Sequence, residues 1–397
     1  MPPPLEGKRV VLGVTGSIAC YKAADLASKL TQAGALVDMV LTSGATRFVS
    51  PLTFHSVTQR PVVTDLFDPG SQQPLEHVAL AEQADIVVVA PATANIIAKM
   101  ALGLADDPLT LILLATRAPV LVAPAMDARM YDNPATQENV KRLKARGVIL
   151  VGPVEGRLAS GRVGKGRMVE PQELLGHIAA LLGWQGDLAG RKVVVSAGGT
   201  QEPIDPVRVI TNRSSGKMGH ALAEAARDRG AQVMLVTAAP HLPDPVAMEV
   251  VRVRTAQEMR KAILKAVASA DALLMAAAVA DYRPAQGHTQ KVKKGAESWT
   301  LELMRTPDIL AEAQGGFIKV GFAAETKDLE QNAQAKLASK GLHLIVGNDV
   351  TAPGSGFEAD TNRVVIIDRE GHVERLPLLP KSEVAHRVLD RVVRLLG

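Results

Sequence analysis

The stretch Asp85-Ile-Val-Val-Val-Ala-Pro-Ala-Thr-Ala-Asn-Ile-Ile-Ala-Lys-Met-Ala-Leu-Gly-Leu-Ala-Asp-Asp107 decides the fold. Ile86–Ala90 is apolar without interruption, which marks a strand buried on both faces of a parallel sheet. Pro91 ends that run, small and polar residues follow, and a helical period then begins. A strand ending in Ala-Pro-Ala-Thr-Ala-Asn puts backbone amides and the Thr93 and Asn95 side chains at the C-terminal edge of its sheet. In open α/β sheets that edge is where flat, phosphorylated ligands bind. His77, eight residues before this stretch, adds a group that titrates near neutrality. The combination reads as an enzyme with a cofactor site.

Working outward, two segments repeat one grammar of strand, glycine turn, helix and strand. The first runs from Lys8-Arg-Val-Val-Leu-Gly-Val-Thr-Gly-Ser17 through a helix ending at Gly34 to Val37–Ser43. The second runs from Arg191-Lys-Val-Val-Val-Ser-Ala-Gly-Gly-Thr200 through a helix from about Lys217 to Gly230, then Gln232–Thr237. Each is the opening βαβ unit of a doubly wound sheet. The fold class is therefore α/β, with two doubly wound Rossmann-like domains and mostly parallel sheets. The expected domains are 1–183 and 191–397, with 184–190 (Trp184-Gln-Gly-Asp-Leu-Ala-Gly190) as a linker. Further strands are expected at Ile86–Ala90, Pro119–Ala123, Val148–Val151, Ala272–Ala277, Ile318–Phe322, Leu344–Val346 and Arg363–Ile367. The Gly- and Pro-rich stretches 152–166 and 352–360 are candidate lids.

Composition narrows the function classes. With 397 residues the chain exceeds one ordinary core, so two domains are the natural division. Apolar residues make up 47% but aromatics only 3%, which suits Val- and Ala-rich parallel strands under tightly packed helices. The formal charge of +4, with cations and anions nearly balanced in both halves, excludes the strong positive field of a nucleic-acid binder. Cys20 stands alone, so no intrachain disulfide is available and a reducing cytoplasm is the expected compartment. No apolar run approaches the ~20 residues that span a bilayer, and the start carries no signal core.

In the first half, Gly13-Val-Thr-Gly-Ser-Ile-Ala19 leads straight into a helix. Free amides at that helix start, with Ser17 beside them, make a phosphate cradle. The pattern lacks the three spaced glycines of the dinucleotide fingerprint, and Thr42-Ser43-Gly44 stands where a ribose-gripping acid would be. Hydroxyls there suit a mononucleotide. A tight turn without a ligand is the bland alternative.

In the second half, Asn212-Arg-Ser-Ser-Gly-Lys-Met-Gly219 exposes amides at a helix start and suits an anion, or is simply a well-capped helix. Met275-Ala-Ala-Ala-Val-Ala-Asp281 is a small-residue strand ending at an acid, and Lys291-Val-Lys-Lys294 follows. Those lysines are either a solvated loop or a triphosphate clamp. Thr306-Pro-Asp-Ile-Leu310 opens a helix with Pro in its first turn. Gly321-Phe-Ala-Ala-Glu-Thr326 ends a strand, and Lys336 and Lys340 share a helix face at i, i+4.

The first half resembles the flavin mononucleotide-dependent cysteine decarboxylases, and the whole chain resembles the bacterial bifunctional phosphopantothenoylcysteine decarboxylase/phosphopantothenate–cysteine ligases. The resemblance rests on Thr15–Ala19, His77, Ala90–Asn95, Ala123-Pro-Ala-Met126 and Gly161–Pro171, and on the second-half motifs above. It implies that flavin oxidises the substrate's cysteine side chain to a thioaldehyde, that carbon dioxide leaves, and that the ene-thiolate is protonated and reduced to 4′-phosphopantetheine. His77 aligns with the family's catalytic histidine. Gly16, Ser17, Ile18, Thr42, Ser43, Pro91, Ala92, Thr93, Asn95 and Met126 align with the residues around flavin mononucleotide and the adjoining substrate.

Two departures stand out. The family's Pro-x-Met-Asn reads Pro124-Ala-Met-Asp127 here, and an ionised Asp cannot donate to a substrate carboxylate as the Asn amide can. Either Asp127 is protonated, or it meets the substrate amide, or Arg129 or Arg162 supplies the donor. In the flap, Ser160 stands where many members carry the cysteine that protonates the ene-thiolate, and a hydroxyl is a far weaker acid.

For the second half the resemblance implies a carboxylate-activating ligase that uses cytidine triphosphate. Asn212 would hold the acyl group. Met275, Ala276, Ala277, Asp281, Lys291, Pro307, Asp308, Ile309, Leu310, Phe322, Lys336 and Lys340 would form the nucleotide site, with Lys291 stabilising charge at the reacting phosphate. Mg²⁺ is expected with the triphosphate rather than from any cluster of ligands in the sequence. The family also implies a homo-oligomer, with trimeric flavin domains building the flavin site between chains, dimeric ligase domains, and a dodecamer as the combined form. Two readings from other classes compete: a non-catalytic flavoprotein that regulates another protein, as related halotolerance flavoproteins do, and a nicotinamide-dependent dehydrogenase. Retention of His77 and a full ligase half weigh against the first, and the missing fingerprint against the second.

Overall fold

In the computed structural model, Leu12 lies between Met39 on one flanking strand and Val88 on the other, all three strands parallel. The structure describes residues 4–66, 76–294, 298–325, 328–349, 354–356 and 358–397. Two units, Pro2–Leu182 and Gly183–Gly397, divide the chain.

The first unit runs β1 (Arg9–Val14), α1 (Cys20–Gln32), β2 (Leu36–Leu41), α2 (Pro51–Thr58), β3 (Val62–Val63), α3 (Glu76–Gln83), β4 (Ile86–Ala92) and α4 (Ala94–Leu102). It continues with α5 (Pro108–Ala115), β5 (Val120–Pro124), α6 (Ala128–Tyr131), α7 (Pro134–Ala145), β6 (Ile149–Leu150), β7 (Val154–Arg157), β8 (Val163–Arg167) and α8 (Pro171–Gly183). Six strands form a parallel sheet in the order β3-β2-β1-β4-β5-β6. Successive residues of one strand serve opposite cores. Val10, Leu12 and Val14 pack with Leu26, Leu30 and Ile178, whereas Val11 packs with Val87, Ile97 and Leu109. Burying each of those leucines is worth about 2 kcal/mol of transfer free energy. This two-sided burial is why the strands read as unbroken apolar runs.

The strand order reverses between β1 and β4, so the crevice between their C-terminal ends is the topological switch point. Of the two helices that leave it, α1 has no side-chain cap and α4 has one, as does α5 behind it. Thr93 caps α4 by accepting from the Ile96 amide, and Asp107 and Thr110 form a reciprocal capping box on α5.

The second unit runs β9 (Lys192–Ala197), β10 (Gln201–Pro203), β11 (Val209–Thr211), α9 (Lys217–Arg227), β12 (Gln232–Thr237), β13 (Glu249–Arg252), α10 (Ala256–Ala266) and β14 (Ala272–Met275). It continues with β15 (Tyr282–Pro284), β16 (Leu303–Arg305), α11 (Ile309–Glu312), β17 (Ile318–Glu325), α12 (Leu329–Ser339), β18 (Leu344–Asp349), β19 (Thr361–Asn362), β20 (Val364–Asp368), β21 (Val373–Arg375), β22 (Leu379–Pro380) and α13 (Lys381–Leu396). Its eight-stranded sheet has the order β13-β12-β9-β14-β17-β18-β20-β21. The first six strands are parallel, and β20 and β21 close the edge antiparallel. Here the switch point lies between β9 and β14.

Residues 184–190 are not a free linker. Leu188 is fully buried in the second unit's core, and Asp187 pairs with the buried Arg229 at 2.5 Å. The stretch 152–166 is not a plain loop either: β7 and β8 pair antiparallel across it. In the stretch 352–360, residues 352, 353 and 357 lie outside the described residues, as does Thr326. The rest of 352–360 is held by Ser355, which bonds Asn348 and Asn362, and by Thr361, which donates to the Gly354 carbonyl.

Candidate active sites

At the first switch point Thr15 is nearly fully buried, and its hydroxyl is used twice. It donates to the Pro91 carbonyl at 2.8 Å and accepts from the Thr93 amide at 3.1 Å, clamping the end of β1 to the end of β4. Gly16 then passes so close to Gly44 that a Cβ would lie 3.0 Å from the Gly44 backbone. Glycine allows that approach without displacing the neighbouring backbone, and it draws the Thr42–Gly44 turn close to the loop that leads into α1. Among the described residues the amides of Gly16 and Ile18 have no acceptor. Ser17 and Ser43 are accessible at this rim, and Ile18 is 61% exposed. Spare amides at a helix start, two accessible hydroxyls and an exposed apolar side chain suit the phosphate and flat ring of a mononucleotide. Pro91 and Ala92 are buried, whereas Asn95 is exposed in the first turn of α4. Cys20 is buried, its thiol donating to the Thr15 carbonyl, and burial pushes its pKa up; it is a filler of the loop, not an acid in reserve.

Next to this cradle the Ala125 amide donates to the Ala92 carbonyl, and the Met126 amide donates to the Gly166 carbonyl on β8. The β7–β8 hairpin is thus tied to the end of β5. Gly164 and Gly166 make this possible, because a Cβ at Gly166 would meet the Met126 oxygen at 2.1 Å and one at Gly164 would meet Ala128 at 2.8 Å. The two departures from the family pattern touch one another. Ser160 Oγ donates to Asp127 Oδ2 at 2.7 Å, while Asp127 Oδ1 accepts from the Arg129 amide at 3.0 Å and caps α6. The Ser160 hydroxyl and the Arg129 amide hold the Asp127 carboxyl below its ordinary pKa, with Arg162 and Arg129 adding positive charge nearby. Asp127 is therefore ionised at neutral pH, which removes the protonated alternative.

His77 sits half-buried in the first turn of α3. Among the described residues no hydrogen bond joins it to Asp127 or Ser160. One anchor was not expected from the sequence. Lys22 on α1 is buried, and its ammonium donates to the Met168 carbonyl and to Glu170, both at 2.9 Å. It fixes the exit of the hairpin to the helix that begins at the phosphate cradle. A buried lysine on an otherwise Ala- and Leu-lined helix face was the available signal.

At the second switch point lies a cavity of about 860 Å³. Asn212, Met275, Ala276, Ala277, Asp281, Pro307, Asp308, Ile309, Leu310, Phe322, Lys336 and Lys340 all line it. The Asn212 side-chain amide donates to the Val279 carbonyl at 3.2 Å, which fixes the residue against the β14 exit loop. That loop is pinned further by Thr200, which accepts from the Ala280 amide, and by Thr306, which donates to the Ala280 carbonyl. Gly216 enters α9 at φ +82°, with a Cβ position only 2.6 Å from Ala239, so no other residue fits the turn into this helix. Asp308 caps α11 and pairs with Lys340 at 3.1 Å. Burial acts to raise its pKa, but the Ala311 amide and Lys340 outweigh that and leave it low.

Lys291 does not line the cavity; it is exposed on a loop whose neighbours are pinned elsewhere. The His288 amide donates to the Ile204 carbonyl, the Val292 amide to Asp205, and the Arg208 guanidinium to the Val292 carbonyl. Asp205 is buried; burial acts to raise its pKa, but the Val207, Arg208 and Val292 amides and the Arg208 side chain hold it at about 2. Sequence reasoning also missed Asn348 on β18, Asn362 on β19 and Lys381 at the start of α13, which line the cavity too. Lys381 is buried at the first position of α13, where the helix dipole disfavours a cation. That placement was the signal: the ammonium instead serves the Gly356 and Ala359 carbonyls. Burial lowers its pKa, and so does Lys217, which itself bonds Asp360 at 2.6 Å.

Residues 2–183 match the family described as Flavoprotein, and residues 188–396 match the DNA/pantothenate metabolism flavoprotein C-terminal domain. The chain is 46% identical over 399 residues to the coenzyme A biosynthesis bifunctional protein CoaBC of Bacillus subtilis, covering 98% of each. It is 45% identical over 394 residues to the protein of that name from Vibrio cholerae, again covering 98% of each. It is 45% identical over 409 residues to the one from Mycobacterium tuberculosis, covering 98% of this chain and 97% of the other.

Proposed function

We infer the function from one premise: this chain belongs to the family of coenzyme A biosynthesis bifunctional proteins. It is a bifunctional enzyme of coenzyme A biosynthesis. The second unit is a phosphopantothenate–cysteine ligase and the first a flavin-containing phosphopantothenoylcysteine decarboxylase.

In the ligase, the phosphopantothenate carboxylate attacks the α-phosphate of cytidine triphosphate, forming an acyl-cytidylate and releasing pyrophosphate. The cysteine amine then attacks the acyl carbon, forming the amide and releasing cytidine monophosphate. The observation that carries this reading is the cavity at the β9/β14 switch point. It gathers Asn212 and every expected nucleotide residue except Lys291 around one volume. Asn212 faces the acyl group, Met275–Ala277 and Phe322 flank the base, and Lys336 offers charge to the phosphates. Lys340 pairs with Asp308, the residue that caps α11. Lys291 reaches the reacting phosphate from outside the cavity, carried by the loop that Asp205 and Arg208 anchor. Mg²⁺ enters as part of the triphosphate. Among the described residues the one close trio of potential metal ligands is Asp368, Glu370 and His372, and none of the three lines the cavity.

In the decarboxylase, the cradle of Gly16, Ser17, Ile18, Thr42, Ser43 and Thr93 suits flavin mononucleotide, with Asn95 and Met126 beside it. Bound there, flavin would take two electrons from the substrate's cysteine side chain, making the thiol-bearing carbon a sink for the electrons left by carbon dioxide, and would return them in the final reduction. His77 holds and moves a proton at the substrate, and the β7–β8 hairpin covers the reacting groups from water. The ordered flap and the retained histidine favour catalysis over a purely regulatory flavoprotein. Accessible apolar side chains at Tyr21, Leu52 and Val163 support assembly into a homo-oligomer in which neighbouring chains complete the flavin site. The lone, buried Cys20 suits the cytoplasm.

A single coupled reaction tests the whole reading. Wild-type protein with phosphopantothenate, cysteine and cytidine triphosphate should give phosphopantothenoylcysteine and then phosphopantetheine, followed by mass. A colourless protein that leaves cytidine triphosphate intact would overturn it.

A further inference from the structure

The decarboxylase substrate loses a carboxylate, so an anion must be received before carbon dioxide can leave. Asp127 cannot receive it. Both of its oxygens already accept hydrogen bonds, from Ser160 Oγ at 2.7 Å and from the Arg129 amide at 3.0 Å, and the group is ionised. Its charge would repel a second carboxylate unless a cation intervenes.

Two cations stand near enough to act on Asp127 electrostatically, Arg162 and Arg129. Among the described residues neither guanidinium has a hydrogen-bond or ion-pair partner. Arg162 follows Ser160 by two residues on the hairpin tip. Its own backbone is fixed, since its carbonyl accepts from the Leu158 amide at 2.8 Å and the Gly161 amide donates to the Leu158 carbonyl at 2.9 Å. Ser160 thus docks the tip on Asp127, and docking brings an uncommitted guanidinium beside that carboxylate. The tip is linked to that cradle in steps, from Ser160 to Asp127, from Met126 to Gly166, and from Ala125 to Ala92. A guanidinium there offers a paired set of donors that matches a carboxylate.

We propose that Arg162 binds the departing carboxylate of the substrate, and that Asp127 and Ser160 are its positioning residues. The proposal rests on the decarboxylase reading above and adds the group that recognises the carboxylate. Asp127 serves as a latch, Ser160 as the bolt, and Arg162 as the contact with substrate. No chemical step is assigned to Ser160 while its proton is given to Asp127.

The test uses the full-length flavin-loaded protein carrying His77→Asn, so that bound substrate is not consumed. Titration calorimetry compares phosphopantothenoylcysteine with phosphopantetheine, which lacks only the carboxylate. Arg162→Gln should weaken the first by about tenfold to a hundredfold, the worth of one charged hydrogen bond, and leave the second unchanged. Arg129→Gln should change neither. Adding Asp127→Asn to Arg162→Gln should restore much of the lost affinity, because the amide accepts from Ser160 and donates to the carboxylate. Equal weakening of both ligands, or of neither, in Arg162→Gln would overturn the proposal. Failure of the His77→Asn parent to bind either ligand would instead overturn the decarboxylase reading and the proposal with it.

Discussion

Ser160 and Asp127, thirty-three residues apart, meet through one hydrogen bond of 2.7 Å between hydroxyl and carboxylate. Each replaces a residue that the resemblance assigns to catalysis, and the two replacements bond to each other. A hydroxyl whose proton is given to an anion is a poorer acid than a free one. The pair ties the hairpin tip to the start of α6, and on the reading proposed above the proton for the final reduction would come from another group.

Restoring the thiol checks that division of labour. Ser160→Cys should leave carbon dioxide release at its wild-type rate and speed the appearance of reduced phosphopantetheine, because a thiol releases its proton far more readily. Stopped-flow measurement of both products separates the two steps. An unchanged rate of reduction would show that the rate is set by a donor elsewhere.

Replacing His77 by Asn should cut carbon dioxide release on the order of a hundredfold or more, the usual worth of a positioned proton donor. Ligation, measured as pyrophosphate release, should be unaffected. Equal loss of both activities would refute the assignment of one reaction to each unit.

Asp205 gives the matching prediction for the second unit. Asp205→Asn weakens the hold on Val292 and Arg208, so the Lys291 loop loses its register. Ligase turnover should fall on the order of tenfold to a hundredfold, as for other small misplacements of a reacting group, and Lys291→Gln should fall in parallel. Flavin content and decarboxylation should stay as they are in both variants. Asp205 also makes the clamp pH-dependent. Its folded pKa of about 2 lies below the ordinary 3.8, so its stabilisation is present above 3.8 and is lost as pH falls towards 2.

His220 sets a different pH window. It is buried on α9, bonded to Thr237, and desolvation lowers its pKa from 6.5 to about 4, with Arg252 assisting. The unfolded chain binds this proton first, so the second unit should lose stability as pH falls from 6.5 towards 4. Denaturant unfolding at several pH values should show that slope, and His220→Gln should flatten it. A slope that survives the substitution would assign the effect to other groups.

The sheets were legible because their chemistry is repetitive. The segments opening at Lys8, Ile86 and Arg191 read as buried parallel strands, and the structure carries β4 two residues beyond the expected Ala90, to Ala92. The gathering of Gly16, Ser17, Thr42, Ser43 and Thr93 at the ends of neighbouring strands was legible from the same strand–turn–helix grammar. The β7–β8 hairpin was not, because Gly164 and Gly166 have poor strand propensity and are present to let the backbone approach Met126 and Ala128. Lys381, Asn348 and Asn362 escaped notice because topology, not spacing, brings β18, β19 and the start of α13 to one cavity. Lys291 was placed by its motif at the nucleotide, whereas the loop around it is held by Asp205 and Arg208 beyond the cavity wall.

The burial of Leu188 and the pairing of Asp187 with Arg229 bear on how the halves could be produced separately. Arg229 also pairs with Asp390 on the final helix, so it fastens residue 187 to the far end of the same unit. A ligase-only polypeptide begun at Arg191 would discard that fastening and leave a slot where Leu188 belonged. Scissors placed ahead of Gly183 spare both, and the shorter cut should yield the less soluble product.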